Sequence, residues 1–138
     1  MSDRQTELEK NKALVMRYIN EVQQQHSLAA VAELYAEDFV DHSRIADGMF
    51  DGGLTQLTEG LFAFSRAFPD LEVTVNFILA EGNKVVVHKS FRGTQMGSWR
   101  GAEPTGKRVE WELVSIYGIR DGKIAEYWGV EASMKPLD

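Results

Sequence analysis

No cysteine occurs in the sequence, and its absence excludes several kinds of chemistry. There can be no disulfide, no thiolate nucleophile and no cysteine-ligated metal site, and the composition fits a reducing compartment. Basic residues are also few, with 15 lysines and arginines against 21 aspartates and glutamates and a formal net charge of −6. No basic run is longer than two residues. Because binding to a phosphate backbone depends on clustered basic side chains, nucleic acid is not expected as a partner.

Long apolar runs are absent as well. No stretch approaches the roughly 20 apolar residues of a membrane-spanning helix, and the first residues, MSDRQTELEKNK, contain no apolar core of a signal peptide. We therefore expect no membrane partner and predict a cytoplasmic protein. At 138 residues the chain is predicted to form one domain, residues 1–138, and a domain of this size can bury roughly 70% of its unfolded surface.

Helical periodicity marks the first half of the chain. Apolar residues recur at intervals of three and four over residues 3–25, which predicts an amphipathic helix. Ser27 is a candidate N-cap for a second helix with the sequence LAAVAELYA. A third helix is predicted over residues 54–68, and Pro69 ends it because the residue before a proline is forced out of helical geometry.

The segment between the second and third helices has no clear period. The short run AEDFVDHS, which contains Asp41 and His42, predicts a strand or an extended lip. Residues 44–53 are predicted to form a loop, in which Met49 and Phe50 either cover a cavity mouth or pack against the core.

Beyond Pro69 the apolar period changes to two. The runs LEVTVNFILA and KVVVHKSFRG, followed by residues 107–131, predict four antiparallel strands. Helices followed by strands indicate an α+β domain in which the helices pack on one face of an antiparallel sheet.

A β-hairpin is predicted around Asp121 and Gly122, because Asp-Gly between apolar and aromatic runs is the strongest short-range hairpin signal. A two-residue turn would pair Ser115 with Trp128. A three-residue loop with Gly122 as a left-handed bulge residue would pair Ser115 with Tyr127. We favour the three-residue loop because it separates a nearly apolar face from a mixed one.

The two faces of that hairpin differ in chemistry. The apolar face would carry Val114, Ile116, Ile124, Trp128 and Val130, and the mixed face would carry Trp111, Leu113, Ser115, Tyr117, Tyr127 and Gly129. Aromatic rings, hydroxyls and a missing side chain together are typical of a ligand cavity. The alternative is that both faces are core, because alternation defines faces but not what covers them.

Two of the three histidines are candidates for acid/base chemistry. His42 follows Asp41, and the pair could work together, although neighbouring strand residues point to opposite faces and Asp41 could equally cap a turn. His88 shares a strand face with Val86 and Ser90 and is either a hydrogen-bonded core histidine or the proton carrier of a cavity.

Other catalytic motifs are missing from the sequence. The sequence contains no histidines or carboxylates at the spacing of metal ligands. It also lacks a glycine-rich phosphate loop and the Gly-x-Ser-x-Gly pattern. We expect no metal and no cofactor. Two possibilities remain for the function: acid/base chemistry in an aromatic-lined cavity, or binding without chemistry.

Several runs of residues resemble one known family. They are NKALV at 11–15, LYAEDFVDH at 34–42, FPDL at 68–71, PTGKRV at 104–109 and DGKI at 121–124 with Trp128. Together they resemble the SnoaL-like polyketide cyclases, also called SnoaL-like ester cyclases, over residues 11–130. The resemblance implies an NTF2-like α+β cone, in which three N-terminal helices and a curved antiparallel sheet enclose an apolar pocket. It also implies a homodimer or higher homo-oligomer formed through the sheet.

The resemblance raises a question about the active site. Characterised cyclases of this family use an aspartate directly after the position of Trp128, helped by a histidine on the neighbouring strand. Those positions are Gly129 and Ser115 in this sequence, so the family's acid/base pair is missing.

Two hypotheses follow. The first is an enzyme that moves a proton on a hydrophobic carbonyl or polyketide-like molecule, as a cyclase or isomerase does. The second is a protein of the same fold that binds a hydrophobic small molecule without reaction, and an interaction module is a weaker third. The candidate catalytic residues are Asp41, His42 and His88, and the candidate substrate-binding residues are Trp111, Ser115, Tyr127 and Gly129.

Overall fold

A computed structural model describes residues 2–46, 52–99, 101–132 and 134–137. The helices are α1 (Asp3–Tyr18), a π-helical segment (Ile19–Gln24), a 3₁₀ turn (Leu28–Ala30), α2 (Val31–Leu34), α3 (His42–Ala46) and α4 (Leu54–Ala67). The strands are β1 (Tyr35–Asp41), β2 (Glu72–Glu81), β3 (Lys84–Thr94), β4 (Arg108–Arg120), β5 (Lys123–Glu131) and β6 (Lys135–Pro136).

The strands form one sheet in the order β1-β5-β4-β3-β2, and β6 pairs with β4. The four predicted strands are β2 to β5, and each pairs antiparallel with its neighbour. Strand β1 adds an edge that runs parallel to β5. The helices pack against one face of this curved sheet, which confirms the predicted α+β class.

The helix boundaries agree with the predicted periodicity in two of three cases. The predicted first helix corresponds to α1 and the π-helical segment, and α1 begins with a capping box between Ser2 and Gln5. The predicted third helix is α4. The second helix is shorter than expected, because Tyr35 already has extended geometry, and Ser27 makes no side-chain capping bond.

The segment predicted as a loop over residues 44–53 is partly helical. Arg44 lies within α3, and Gly53 precedes α4 as its N-cap residue. Met49 and Phe50 lie outside the described residues.

The favoured three-residue loop is wrong, and the register of the two-residue alternative holds only for the two pairs next to the turn, Arg120 with Lys123 and Ile119 with Ile124. Asp121 and Gly122 have φ angles of 53° and 72°, as a two-residue turn requires, and a bulge at Ala125 then shifts the pairing. As a result Ser115 pairs with Gly129, and Tyr117 pairs with Tyr127.

The bulge nevertheless preserves most of the predicted faces. Beyond the bulge the favoured and the observed pairings differ by two residues, and a shift of two leaves side chains on the same face. Ile124 is the exception, because it precedes the bulge: it is fully buried in the core with Tyr117 and Ile119. Its assignment to the outer apolar face was wrong.

The core has two parts. The larger cluster lies between α1, the π-helical segment, α2 and the inner face of the sheet. The smaller is aromatic: Phe68 and Phe91 pack on Trp111 at ring-centroid distances of 5.0 and 5.2 Å, and Phe64 packs on Trp99 at 5.0 Å. Residues of both clusters line the cavity described next.

Candidate functional site

A cavity of about 140 Å³ opens between α4 and the inner face of the sheet. Its apolar wall includes rings of the aromatic cluster, among them Trp111, which was predicted to contact substrate. Its polar lining residues are Gln23, Asp41, Arg44, Gln56, Tyr127 and Glu131. An apolar pocket with a few converging polar groups is the usual form of a small-molecule site.

Asp41, the last residue of β1, places its carboxylate in the lining of this cavity. It is 8% exposed, and its Oδ1 accepts hydrogen bonds from the backbone N–H groups of Ser43 (3.0 Å) and Arg44 (3.4 Å). Asp41 thus caps the start of α3 and also lines the pocket. Burial raises the pKa of Asp41, and the two backbone hydrogen bonds and the charge of Arg44 oppose that rise. A buried carboxylate of raised pKa is suited to take up a proton.

Tyr127 lies beside Asp41, because the two residues are partners in the β1–β5 pairing. Its hydroxyl is 2.8 Å from Ser115 Oγ. Burial raises the pKa of Tyr127, and the hydrogen bond with Ser115 opposes that rise. The phenol is therefore un-ionised at neutral pH and can donate a hydrogen bond into the pocket. Ser115 itself is fully buried behind Tyr127.

Gly129 makes room for this tyrosine. A Cβ atom at Gly129 would lie 2.5 Å from the Tyr127 hydroxyl oxygen and 2.8 Å from Cε2, so the tyrosine side chain occupies the space that a side chain at Gly129 would need. Its hydroxyl thus lies where the family resemblance expects an aspartate. A polar group is retained at that point, supplied from a different residue.

The two candidate histidines lie outside the pocket. His42 stacks on Trp128, with ring centroids 4.6 Å apart, and its Nε2 is 3.8 Å from Glu126 Oε1. His88 stacks on Phe77, and its Nδ1 is 2.8 Å from Asn76 Nδ2.

Of the two alternatives for His88, the proton carrier of the cavity does not fit this position. Alternation in β3 directs Val85, Val87, Lys89 and Phe91 into the core, so His88 lies on the outer face of the sheet. His42 is likewise separated from its neighbour Asp41. Of the predicted site residues, the fold brings together Asp41, Trp111, Ser115, Tyr127 and Gly129.

Sequence reasoning missed Lys89, the fully buried lysine of β3. Its Nζ donates hydrogen bonds to Gln23 Oε1 (3.2 Å) and to the Tyr117 hydroxyl (2.9 Å), and burial lowers the pKa of Lys89 to about 7. A signal was present, because the period-two pattern already puts Lys89 on the face of Val87 and Phe91. His88 was chosen as the candidate because histidine is the more common proton carrier, and His88 lies on the outer face of the sheet.

Arg44 was missed as a pocket residue because it was assigned to a loop. Its Nε atom is buried and makes no hydrogen bond within the described part of the chain. It lines the pocket beside Asp41 and lowers the pKa of that carboxyl by its charge.

Two features are absent from the described part of the chain. Within residues 2–46, 52–99, 101–132 and 134–137, no three histidine, aspartate or glutamate side chains are grouped so that they could hold a metal ion. Across the same ranges no helix combines the length and apolar character needed to cross a bilayer.

Comparison with known proteins identifies relatives of this arrangement. A family model described as SnoaL-like polyketide cyclase matches residues 13–138. No curated protein was found to match the chain at a significant level. Among solved structures, AclR from Streptomyces galilaeus is 27% identical with a TM-score of 0.79, and the alignment covers 91% of this chain and 90% of AclR.

Two further structures extend the comparison. IdmH from Streptomyces antibioticus is 27% identical with a TM-score of 0.70, and the alignment covers 88% of this chain and 91% of IdmH. A SnoaL-like polyketide cyclase from Agrobacterium tumefaciens is 15% identical with a TM-score of 0.75, with coverage of 89% and 91%. At that identity the likeness concerns the fold alone.

Proposed function

Because the chain belongs to the SnoaL-like polyketide cyclase family, we propose that it is an acid/base enzyme of cyclase or isomerase type that acts on a hydrophobic carbonyl compound without a cofactor. A polyketide-like ester or ring ketone fits the aromatic wall of the cavity. The main support is that Asp41 and Tyr127, partners in adjacent strands, line the same pocket. The cysteine-free composition supports a cytoplasmic location.

The proposed reaction assigns one role to each of these residues. The Asp41 carboxylate removes a proton from the carbon next to the substrate carbonyl, and the Tyr127 hydroxyl donates a hydrogen bond to the enolate oxygen that develops. Asp41 then returns the proton to another carbon of the substrate, or the enolate attacks a second carbonyl to close a ring and Asp41 gives its proton to the alkoxide that forms. Its raised pKa makes Asp41 a stronger base than an exposed aspartate.

A substrate is needed before the mechanism can be tested. Thermal unfolding would be followed against a panel of polyketide-like esters, ring ketones, steroids, epoxides and fatty acids. A ligand present at about 100 times its dissociation constant should stabilise the protein by roughly 2.7 kcal/mol. Each compound that shifts the unfolding temperature would then be incubated with the protein and assayed for conversion.

Replacement of Asp41 by Asn is expected to lower turnover of such a compound by at least about a hundredfold, because it removes the base. The Asn oxygen can still accept the backbone bonds that start α3, so the fold is kept. Tyr127→Phe, which keeps the ring over Gly129 and removes only the hydroxyl, is expected to lower turnover by about a hundredfold as well.

His88→Ala and His42→Ala serve as controls, because both rings lie outside the pocket. They should keep turnover close to that of the unmodified protein. Full activity in Asp41→Asn would remove Asp41 from the mechanism, and a large loss in His88→Ala would return that histidine to it.

Binding without reaction is the second candidate function. The observation that favours it is the loss of the family's acid/base pair at Gly129 and Ser115. In that case Asp41→Asn and Tyr127→Phe would change the affinity for a panel hit, while the unmodified protein would leave every such compound unconverted.

We also propose that the outer face of the sheet pairs with a second copy of the chain. A row of side chains crosses four strands there, because Phe77 pairs with His88, His88 with Val114 and Val114 with Val130. Phe77 and Val130 are 50% and 75% exposed. Large apolar side chains that are exposed at both ends of such a row support an interface.

A charge at the exposed β5 end of that row is expected to prevent association. Val130→Lys should therefore sediment as a monomer if the unmodified protein sediments as a dimer or larger species. Met96→Lys is the matched control, since Met96 is also exposed but lies in the segment after β3. A monomeric unmodified protein would refute the proposal.

A further inference from the structure

Lys89 lies close to the pocket, and within the described part of the chain no carboxylate is paired with it. Both groups that accept its hydrogen bonds, Gln23 Oε1 and the Tyr117 hydroxyl, are uncharged. Burying an ammonium group among neutral partners costs free energy. Lys89 is retained in the core and hydrogen-bonds directly to the pocket residue Gln23, which makes it a candidate for a functional role.

Three hydroxyls lie in sequence between Lys89 and the pocket, those of Tyr117, Ser115 and Tyr127. Lys89 Nζ is 2.9 Å from the Tyr117 hydroxyl, and Ser115 Oγ is 2.8 Å from the Tyr127 hydroxyl. Ser115 lies near enough to the Tyr117 hydroxyl to oppose the rise that burial causes in the pKa of Tyr117. Tyr117 and Tyr127 are cross-strand partners with ring centroids 5.2 Å apart.

We propose that Lys89 is a positioning residue that polarises the Tyr127 hydroxyl through Tyr117 and Ser115, so that the pocket presents a strengthened hydrogen-bond donor to an oxyanion. This inference rests on the proposed function, in which Tyr127 donates to the enolate oxygen of a carbonyl substrate. The ligand that the arrangement favours is one with an enolate or phenolate oxygen.

The chemistry of an ammonium group sets the direction in which hydrogen bonds are donated along the series of hydroxyls. A protonated lysine can donate hydrogen bonds but cannot accept them, so the Tyr117 oxygen must accept. Tyr117 then donates to Ser115, Ser115 donates to Tyr127, and the Tyr127 O–H is left for the pocket. Hydrogen bonds aligned in this way polarise one another. With a neutral or absent amine the series can reverse, and Tyr127 then donates to Ser115 instead.

The surrounding ionisable groups are compatible with this direction. Among the described residues, those that face Lys89 and the hydroxyl series are Tyr18, Tyr35, Tyr117, Tyr127, Asp41 and, at the end of β5, Glu131. Burial raises the pKa of each phenol, that of Tyr18 to about 12, so all four remain un-ionised at neutral pH. Lys89, whose pKa burial lowers to about 7, is the member of the series that changes charge near neutrality.

The test uses para-nitrophenol as a spectroscopic probe, because its phenolate absorbs visible light and its neutral form does not. The intact protein would be titrated with the phenol at a mildly acidic pH at which the free phenol is mostly un-ionised. The bound phenol should be more ionised than the free one. In Lys89→Met the ionisation constant of the bound phenol should fall about tenfold, a shift of about one pKa unit.

A double-mutant cycle separates this role from a merely structural one. Tyr127→Phe should produce a similar loss, and Lys89→Met combined with Tyr127→Phe should lose little more than either single variant, because both act through one donor. Lys84→Met is the matched control: Lys84 is on the same strand but bonds to Asn83 and lies over Trp128, so the bound phenol should stay as ionised as before.

Three results would overturn the proposal. They are an unchanged phenol spectrum in Lys89→Met, fully additive losses in the double variant, and the absence of a phenolate signal with the unmodified protein. Circular dichroism of each variant confirms that the fold is kept. Failure of this test leaves the roles of Asp41 and Tyr127 in turnover untouched, because those are measured by substrate conversion.

Discussion

The free energy of unfolding is expected to rise as the pH is raised from about 7 to about 9, and Lys89→Met is expected to abolish that rise. In the folded protein burial lowers the pKa of Lys89 to about 7, against an ordinary value of 10.5. Between these values the unfolded chain holds a proton that the folded chain lacks. Stability must then increase with pH, by up to about 1.4 kcal/mol per pH unit.

The other buried groups titrate outside this window. Burial raises the pKa of Tyr18, Tyr35, Tyr117 and Tyr127 above the ordinary value of 10.0. A raised pKa gives stability that is present below pH 10 and is lost as the pH rises further. Asp41 has a raised pKa too, but its unfolded value of 3.8 places its effect on the acid side. The interval from about 7 to 9 therefore isolates Lys89.

Urea unfolding at constant ionic strength and at several pH values in this interval measures the effect. The unmodified protein and Lys84→Met should show the same upward slope, since the Lys84 side chain is not buried in the core. Lys89→Met should show a flat profile. Equal slopes in all three proteins would mean that Lys89 is not held neutral by the fold, which would contradict its depressed pKa.

Replacement of Gly129 by Ala is expected to destabilise the protein by about 1–3 kcal/mol, the usual cost of adding a methyl group to a packed site. The new Cβ would lie 2.5 Å from the Tyr127 hydroxyl oxygen and 2.9 Å from Cζ. Since real contacts are never that short, the tyrosine ring must move, and its hydrogen bond with Ser115 is lost. Urea unfolding measures the cost, and the affinity for a pocket ligand should change in parallel.

Two comparisons identify the cause of that destabilisation. In a Tyr127→Leu background, Gly129→Ala should cost little, because the ring that it displaces is already gone. Gly60→Ala in α4 is the matched control: the nearest atom to its new Cβ would be Arg44 Nη1 at 3.9 Å, and the change should be neutral or stabilise the helix by up to about 1 kcal/mol. If Gly129→Ala were as stable as the unmodified protein, the ring could not be packed as described.

Local patterns in the sequence were sufficient for the elements and the fold class. Apolar spacing predicted α1 and α4, alternation predicted β2 to β5, and Asp121-Gly122 predicted the turn, because each depends on interactions between residues close in the chain. The resemblance then supplied the cone and the family, which the family model matches. Most of the mixed hairpin face was also predicted correctly, including Tyr127 and Gly129.

The tertiary structure decided what periodicity leaves open. Alternation separates His88 from Lys89 but does not say which of them faces the helices, and the packing of α1 and the π-helical segment against the sheet buried Lys89. The bulge at Ala125 depends on how β5 must curve to pair with both of its neighbours, and no short sequence pattern encodes that.

The site itself depends on a contact between distant parts of the chain. Asp41 meets Tyr127 only because β1 returns to the sheet edge parallel to β5, and a pairing over that separation is set by the burial of whole elements. The sequence by itself determined the local elements, the fold class and an inventory of polar groups. Only the packing of helices on the sheet decided which of those groups share a pocket, because burial is a property of the assembled chain.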